Sequence, residues 1–273
     1  MAKKKIFTRF IPKLRTRHPS HKPLKALLPK FPFRSVIRFG SFTELPDTVS
    51  KGGNRIEINT VEAIKNSANK LRMKQCFTDA GVKTAQWVRL TDKDGVNGMK
   101  MPVVIKSLMG SRGRGNYLIQ SLNDIEAWNK NRELNNYIME RFHDYSREYR
   151  LHVDKNGCFY ACRKMLKNGT PEDKRWFRND SNSTWIMEEN PAFDKPVNWN
   201  TIIAECVKAL NAVGLDVGAC DVKVQSAKNK KGTQRTNPEF IVIEINSAPS
   251  FGAITLKKYV ERLPAILMAK KKG

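Results

Sequence analysis

The chain has 273 residues, 40% of them hydrophobic, enough to bury one large core or two modest ones, which excludes a peptide or a fibre. No apolar run approaches the ~20 residues needed to span a bilayer, and the basic start MAKKKIFTRF lacks the apolar segment and cleavage site of a secretory signal, so a cytoplasmic location is expected. A formal net charge of +24 implies an anionic partner: nucleic acid, anionic lipid or an acidic substrate. Five cysteines without a C-x-x-C pair and four histidines without ligand spacing argue for reduced thiols and against zinc.

Residues 1–40 hold twelve Lys or Arg and no acid. Prolines at 12, 19, 23, 29 and 32 break any long element, so an extended basic arm is predicted over 1–40. Its Phe7, Phe10, Leu27, Leu28, Phe31 and Phe33 are too many for a disordered tail, and part of it is expected to lie on the folded body. The arm either binds a nucleic acid or an acidic protein, or its charges are simply solvated.

Asn59 followed by Glu62 has capping-box spacing, and Ile64, Ala68, Leu71 and Phe77 keep a helical period up to Gly81, which predicts one helix over about 60–80. Residues 102–120, PVVIKSLMGSRGRGNYLIQ, read as strand, glycine-rich loop, strand. Gly110, Ser111, Gly113 and Gly115 let backbone N–H groups approach a phosphate, and Lys106 is a cation in an apolar strand that needs an anionic partner. No G-K-[ST] follows and a strand, not a helix, comes next, so neither a Walker A loop nor a dinucleotide fingerprint fits. Ser121 and Asp124 cap a helix reaching about 135, and Tyr137–Arg141 is a strand. Residues 147–163 alternate about an Asn156-Gly157 turn as a hairpin, with Glu148, Arg150 and His152 on one face. Residues 167–200 have no clean period, and Arg175, Arg178, Asn179 and Asn182 there are candidate substrate contacts. An amphipathic helix over 201–213 stops at Gly214.

The strongest chemical signal lies at 240–251, FIVIEINSAPSF. Strict alternation sets Ile241, Ile243 and Ile245 on one face of a strand and Val242, Glu244 and Asn246 on the other. Glu244 and Asn246, roughly 7 Å apart, are hard oxygen donors suited to Mg²⁺ with a polyphosphate. Asp221, in the strand-like stretch 214–224, is brought beside Glu244 by a hairpin-type connection at 229–233. The alternative partner for Glu244 is Lys223. Residues 255–272 form a helix expected to be interrupted at Pro264.

This order of residues resembles the ATP-grasp superfamily of carboxylate-amine ligases, among them ribosomal-protein glutamate ligases, glutathione synthetase and short viral forms. The resemblance covers about 36–273 and implies an α+β ATP-grasp fold: two α+β lobes of mostly antiparallel sheet with the nucleotide between them, plus a basic N-terminal extension. The ATP-grasp domain is expected over 41–273, with a lid lobe at about 82–137 and a C-terminal lobe at about 138–273. It implies ATP and one or two Mg²⁺ ions as cofactors. Lys70, Lys106, the Gly110–Gly115 flap and the Glu140, Arg141, Phe142 edge would hold the nucleotide, the backbone of that edge pairing with adenine. Asp221, Glu244 and Asn246 would hold metal, and Arg163, with Arg150 second, would serve the transferred phosphate; either arginine equally suits a surface pair with Glu148. The family's usual Asp before the lysine is Asn69 here. The implied reaction joins a carboxylate to an amine, such as a peptide or protein terminus, through an acyl phosphate. A basic nucleic-acid-binding protein and a non-catalytic ATP-grasp scaffold are the other classes.

Overall fold

The computed structural model describes residues 9–16, 18–45, 55–110 and 114–272. Among the described residues, the N-terminal region is a folded unit and not the extended arm predicted over 1–40. Lys13–Thr16 (β1), Leu24–Leu27 (α1), Ser35–Phe39 (β2) and Ile56–Ile58 (β3) form a small α/β unit whose three strands pair in parallel in the order β1-β2-β3. Its Leu24, Phe31, Ile37 and Phe39 are buried against Tyr259 and Leu263 of a helix near the other end of the chain. Burial of these side chains, each favourable by about 2 kcal/mol, outweighs the breaks that the prolines impose. The lysines of this unit point outward, and Phe7 lies outside the described residues.

Two helices, not one, follow: Val61–Ala68 (α2) and Lys70–Asp79 (α3). Asn69 leaves helical backbone (φ −101°, ψ 117°) and its side chain accepts the N–H groups of Leu71 and Arg72, so it caps α3. The cap of α2 is Thr60 rather than Asn59. Asn59 sits at φ 60°, a conformation Asn tolerates. Its buried amide donates to the carbonyls of Arg38 and Val217 and accepts from Asp216 and Val217. It thus stitches the N-terminal unit to the C-terminal lobe.

The lid comprises Trp87–Arg89 (β4), Lys93–Asn97 (α4), Val103–Ser107 (β5), Asn116–Ile119 (β6), Leu122–Asn129 (α5) and Tyr137–Arg141 (β7). Its sheet is antiparallel in the order β4-β7-β5-β6, over a core of Leu90, Val103, Ile105, Ile119, Ile125 and Met139. The Ser121/Asp124 capping box starts α5 as read from the sequence.

The C-terminal lobe holds Arg147–Asp154 (β8), Gly157–Leu166 (β9), Ser183–Met187 (β10), Trp199–Val213 (α6), Val217–Val224 (β11), Phe240–Asn246 (β12) and Ala253–Lys272 (α7). All its strands pair antiparallel in the order β10-β9-β8-β11-β12. Tyr149, Leu151, Cys220 and Val222 face α6 in the core, as period 2 demands. The stretch 167–200 is more regular than its sequence suggests, since β10 extends the sheet edge within it. Pro264 does not end α7, whose Leu263, Ile266 and Leu267 stay buried on both sides of it. Among the described residues no helix is long and apolar enough to cross a membrane, and the five cysteines are free thiols.

One irregularity positions the site. Asp221 pairs with Glu244 and Val222 with Val242, leaving Ile243 unpaired in a β-bulge. The bulge shifts the side-chain parity within β12. Before it, Phe240 and Val242 enter the core; after it, Ile245 does. Ile241, Ile243, Glu244 and Asn246 therefore all line one cleft, where strict alternation had put the isoleucines opposite Glu244.

Candidate active site

Between the lid and the C-terminal sheet lies a cleft of about 910 Å³, of nucleotide-binding size. Val104, Phe142, Ile241 and Ile243 give it an apolar section and Lys70, Lys106, Asp221, Glu244 and Asn246 a charged one.

Lys70 opens α3 because Asn69 breaks the helix before it. Its Nζ donates to the carbonyl of Gly110 at 2.5 Å, and its backbone N–H to Leu108 at 3.0 Å, so it holds the root of the glycine loop. Burial lowers the Lys70 pKa against the opposing pull of Glu244. Both ends of the loop require glycine: a Cβ on Gly110 would lie 2.5 Å from the Arg114 carbonyl, and Gly115, at φ 75°, would meet Ser107 at 2.9 Å. Ser111 and Gly113 lie outside the described residues.

Lys106 projects from β5 into the cleft and donates to Glu140 Oε2 at 2.8 Å; Lys74 stands 3.3 Å from the same oxygen. Burial would push the Glu140 carboxyl up, but Lys106 and Lys74 overcome it and hold the carboxyl below the usual range. Sequence reading missed Lys74, although its i+4 spacing from Lys70 placed both lysines on one helix face. The backbone at 141–142 is already committed: Arg141 N–H donates to Gln86 and Phe142 N–H to Pro102. Glu140 turns its side chain to Lys106 and Lys74, and the N–H groups of the two following residues are engaged within the protein. The Phe142 ring packs under the Lys223 ammonium, 5.1 Å away.

On the floor, Arg150 of β8 and Asp221 of β11 are register partners, and the guanidinium binds both carboxylate oxygens at 2.7 Å. Burial raises the Asp221 pKa, but Arg150 more than reverses this and the carboxyl stays below its usual range. The Asn246 amide donates to Glu244 at 3.1 Å and to Asp221 at 3.3 Å. Two carboxylates and one amide converge, with the amide turned to satisfy them as a donor; rotating it presents its oxygen instead. That donor set suits a hard divalent cation. Among the described residues no trio of His, Cys, Asp and Glu gathers around a metal position. Lys223, the alternative partner for Glu244, instead donates to the Trp176 carbonyl at 3.0 Å, and burial lowers its pKa to about 8.

The expectation for Arg163 is not met in position. Arg163 pairs in register with Tyr149, whose side chain enters the core, so it lies on the sheet face away from the cleft. There it bonds the Ala192 carbonyl at 2.9 Å and reaches Asp194 at 3.3 Å. The next residue, Lys164, faces the cleft beside Glu148, and its Nζ lies 5.2 Å from the centre of the Trp185 ring, which Arg150 also covers at 4.9 Å. Of the loop candidates, Arg178 and Asn179 line the cleft. Asn182 instead braces the loop, donating to the carbonyls of Lys174 and Phe177. Arg175 lines a side pocket of about 290 Å³ together with Arg178 and Lys223.

The N-terminal unit completes the cleft at Gly40 and Phe42, beside residues 247–250. Its contacts are tight: His21 Nε2 lies 2.7 Å from the Pro249 carbonyl, and a Cβ on Gly40 would meet Ala248 at 2.9 Å. Burial pushes the His21 pKa down to about 4, so the neutral ring donates there at pH 7.

Comparison with known proteins agrees with this architecture. The ATP-grasp domain family matches residues 75–195. The fold is similar to that of a D-alanine–D-alanine ligase from Bacillus anthracis (10% identity, 96% of this chain and 97% of that one, TM-score 0.62). It is also similar to an ATP-grasp RimK domain protein from Sphaerobacter thermophilus DSM 20745 (12%, 94% and 99%, TM-score 0.56). A biotin carboxylase from Campylobacter jejuni aligns over 86% of this chain but only 54% of its own length (18% identity, TM-score 0.60). No protein of curated function matches the sequence.

Proposed function

We propose, from the premise that this chain has the ATP-grasp fold and carries an ATP-grasp domain, that it is an ATP-dependent carboxylate-amine ligase. The single observation that carries this reading is the convergence on one cleft of Lys70, Lys106 and a glycine loop from one side and Asp221, Glu244 and Asn246 from the other. A scaffold without chemistry has no need to bury these charges together. ATP supplies the phosphoryl group that turns a carboxylate into an acyl phosphate, which an amine displaces to give an amide, ADP and phosphate; Mg²⁺ neutralises the polyphosphate.

The roles of the protein groups follow. Lys70 and Lys106 balance phosphate charge, Val104, Phe142, Ile241 and Ile243 sandwich the base, and Asp221, Glu244 and Asn246 hold one or two Mg²⁺ ions. Arg150 keeps Asp221 ionised and oriented, and Lys164 takes the cleft-facing place that sequence reading gave to Arg163. The activated acid and its amine acceptor, such as a peptide or protein terminus, enter between Phe42, residues 247–250 and the 176–180 loop. Calorimetric titration with ATP and Mg²⁺ should give 1:1 binding, and hydroxylamine should trap the activated acid from a mixture of candidate acids as a hydroxamate. Absence of nucleotide binding would remove the ligase reading.

A polyanionic partner, nucleic acid or acidic protein, is favoured by one further observation. Lys22, Lys25, Lys30 and Arg34 are all exposed on the N-terminal unit, and Glu44 is its first acid. Deleting this unit would strip the core around α7, so charge reversal is the sound test. Changing these four residues to Glu should weaken binding to an oligonucleotide or to polyglutamate at least tenfold and flatten its salt dependence. Unchanged binding would leave the charges as solvated surface.

A further inference from the structure

Two lysines, one in the cleft and one behind it, share the Glu140 carboxylate. Lys106 faces the cleft, whereas Lys74 is fully buried behind it and does not line the cleft. Both reach the same oxygen, Glu140 Oε2, at 2.8 and 3.3 Å, while Oε1 has no hydrogen-bond partner among the described residues. Lys74 is anchored independently: its Nζ donates to Thr84 Oγ1 at 2.6 Å, and Thr84 donates in turn to the Val242 carbonyl at 2.8 Å.

We propose that Lys74 is a positioning residue that acts as a reserve counterion for Glu140, releasing Lys106 to the phosphates when nucleotide enters. The inference rests on the nucleotide-binding reading above. A buried carboxylate left without a cation is strongly unfavourable. If Lys106 were the only partner of Glu140, every phosphate contact it made would strand that carboxylate. With Lys74 in place, Lys106 leaves and Glu140 keeps a full positive charge a short movement away, and its free Oε1 accepts the second hydrogen bond. Burial lowers the Lys74 pKa to about 8, so it still carries its proton at pH 7.

The test is calorimetric titration of the full chain with ATP and Mg²⁺ at pH 7. Lys74→Met should weaken ATP binding about tenfold or more, because Glu140 then retains Lys106. Adding Glu140→Gln to that variant removes the carboxylate and should restore affinity to within about threefold of the parent. A purely structural Lys74 predicts the opposite, a double variant as weak as the single one or weaker. That result, or a Lys74→Met protein binding like the parent, overturns the relay. If Lys74→Met does not fold, Lys74→Gln with and without Glu140→Gln is compared in the same way: restored affinity in the double variant supports the reserve counterion, and a double variant as weak as the single one refutes it. A parent that binds no ATP removes the function reading and the relay with it, whereas differences among variants of an ATP-binding parent test the relay alone.

Discussion

Glu244→Gln should lower Mg²⁺-dependent ATP turnover by about 10³-fold, equivalent to ~4 kcal/mol of transition-state stabilisation, while leaving the fold intact. The substitution keeps shape and removes one of two converging carboxylates. It strands no cation at Lys223, which is engaged by the Trp176 carbonyl and not by Glu244. The Asn246 amide retains Asp221 as acceptor. Without metal the variant should melt at the same temperature as the parent or slightly higher, because repulsion between Glu244 and Asp221 is relieved. Melts with and without Mg²⁺ and ATP check this, since the parent should gain stability from the pair and the variant should not. A variant stabilised normally by Mg²⁺ and ATP would show that Glu244 holds no metal.

Arg150→Met should destabilise the protein by roughly 3 kcal/mol, because it leaves the buried Asp221 carboxylate without its bidentate partner. The cost belongs to the stranded charge more than to the lost contact, so Asp221→Asn in the same background should recover most of it. Denaturant titration of the parent, both single variants and the double variant measures the coupling. If Arg150→Met falls within about 0.5 kcal/mol of the parent, water satisfies Asp221 and the pair is a surface one.

Much of this site was legible because its groups sit on strands whose local pattern is strong. The hairpin of β8 and β9, with its turn at Lys155-Asn156, one residue before the Asn156-Gly157 read from the sequence, the Lys106 strand leading into a glycine loop, and the pairing of Asp221 with Glu244 all follow from period 2 and turn chemistry. What escaped is what a one-residue change of parity decides. The bulge at Ile243 is set by pairing with β11, not by β12 itself, and it moves two isoleucines to the cleft face. The same parity separates Arg163 from Lys164: neighbours of like charge, one facing α6 and the other the cleft, told apart only by their register against Tyr149 and Glu148. Lys74 escaped because a lysine on a helix is ordinarily solvated, and its burial is explained by two partners outside that helix, Glu140 on β7 and Thr84. The N-terminal unit escaped for a long-range reason, since its partner helix lies more than two hundred residues away.

That last contact bears on synthesis. Leu24, Ile37 and Phe39 are covered by Tyr259, Leu263 and Leu267, so the parallel sheet finds its covering helix only after more than two hundred further residues have been made. During translation at ~5–20 residues per second, those apolar side chains wait ten seconds or more without their native cover. Chaperone binding to nascent chains should therefore persist until residues 253–267 leave the exit tunnel. The small sheet, its covering helix and the wall they give the cleft share one core, so none of them is complete without the others.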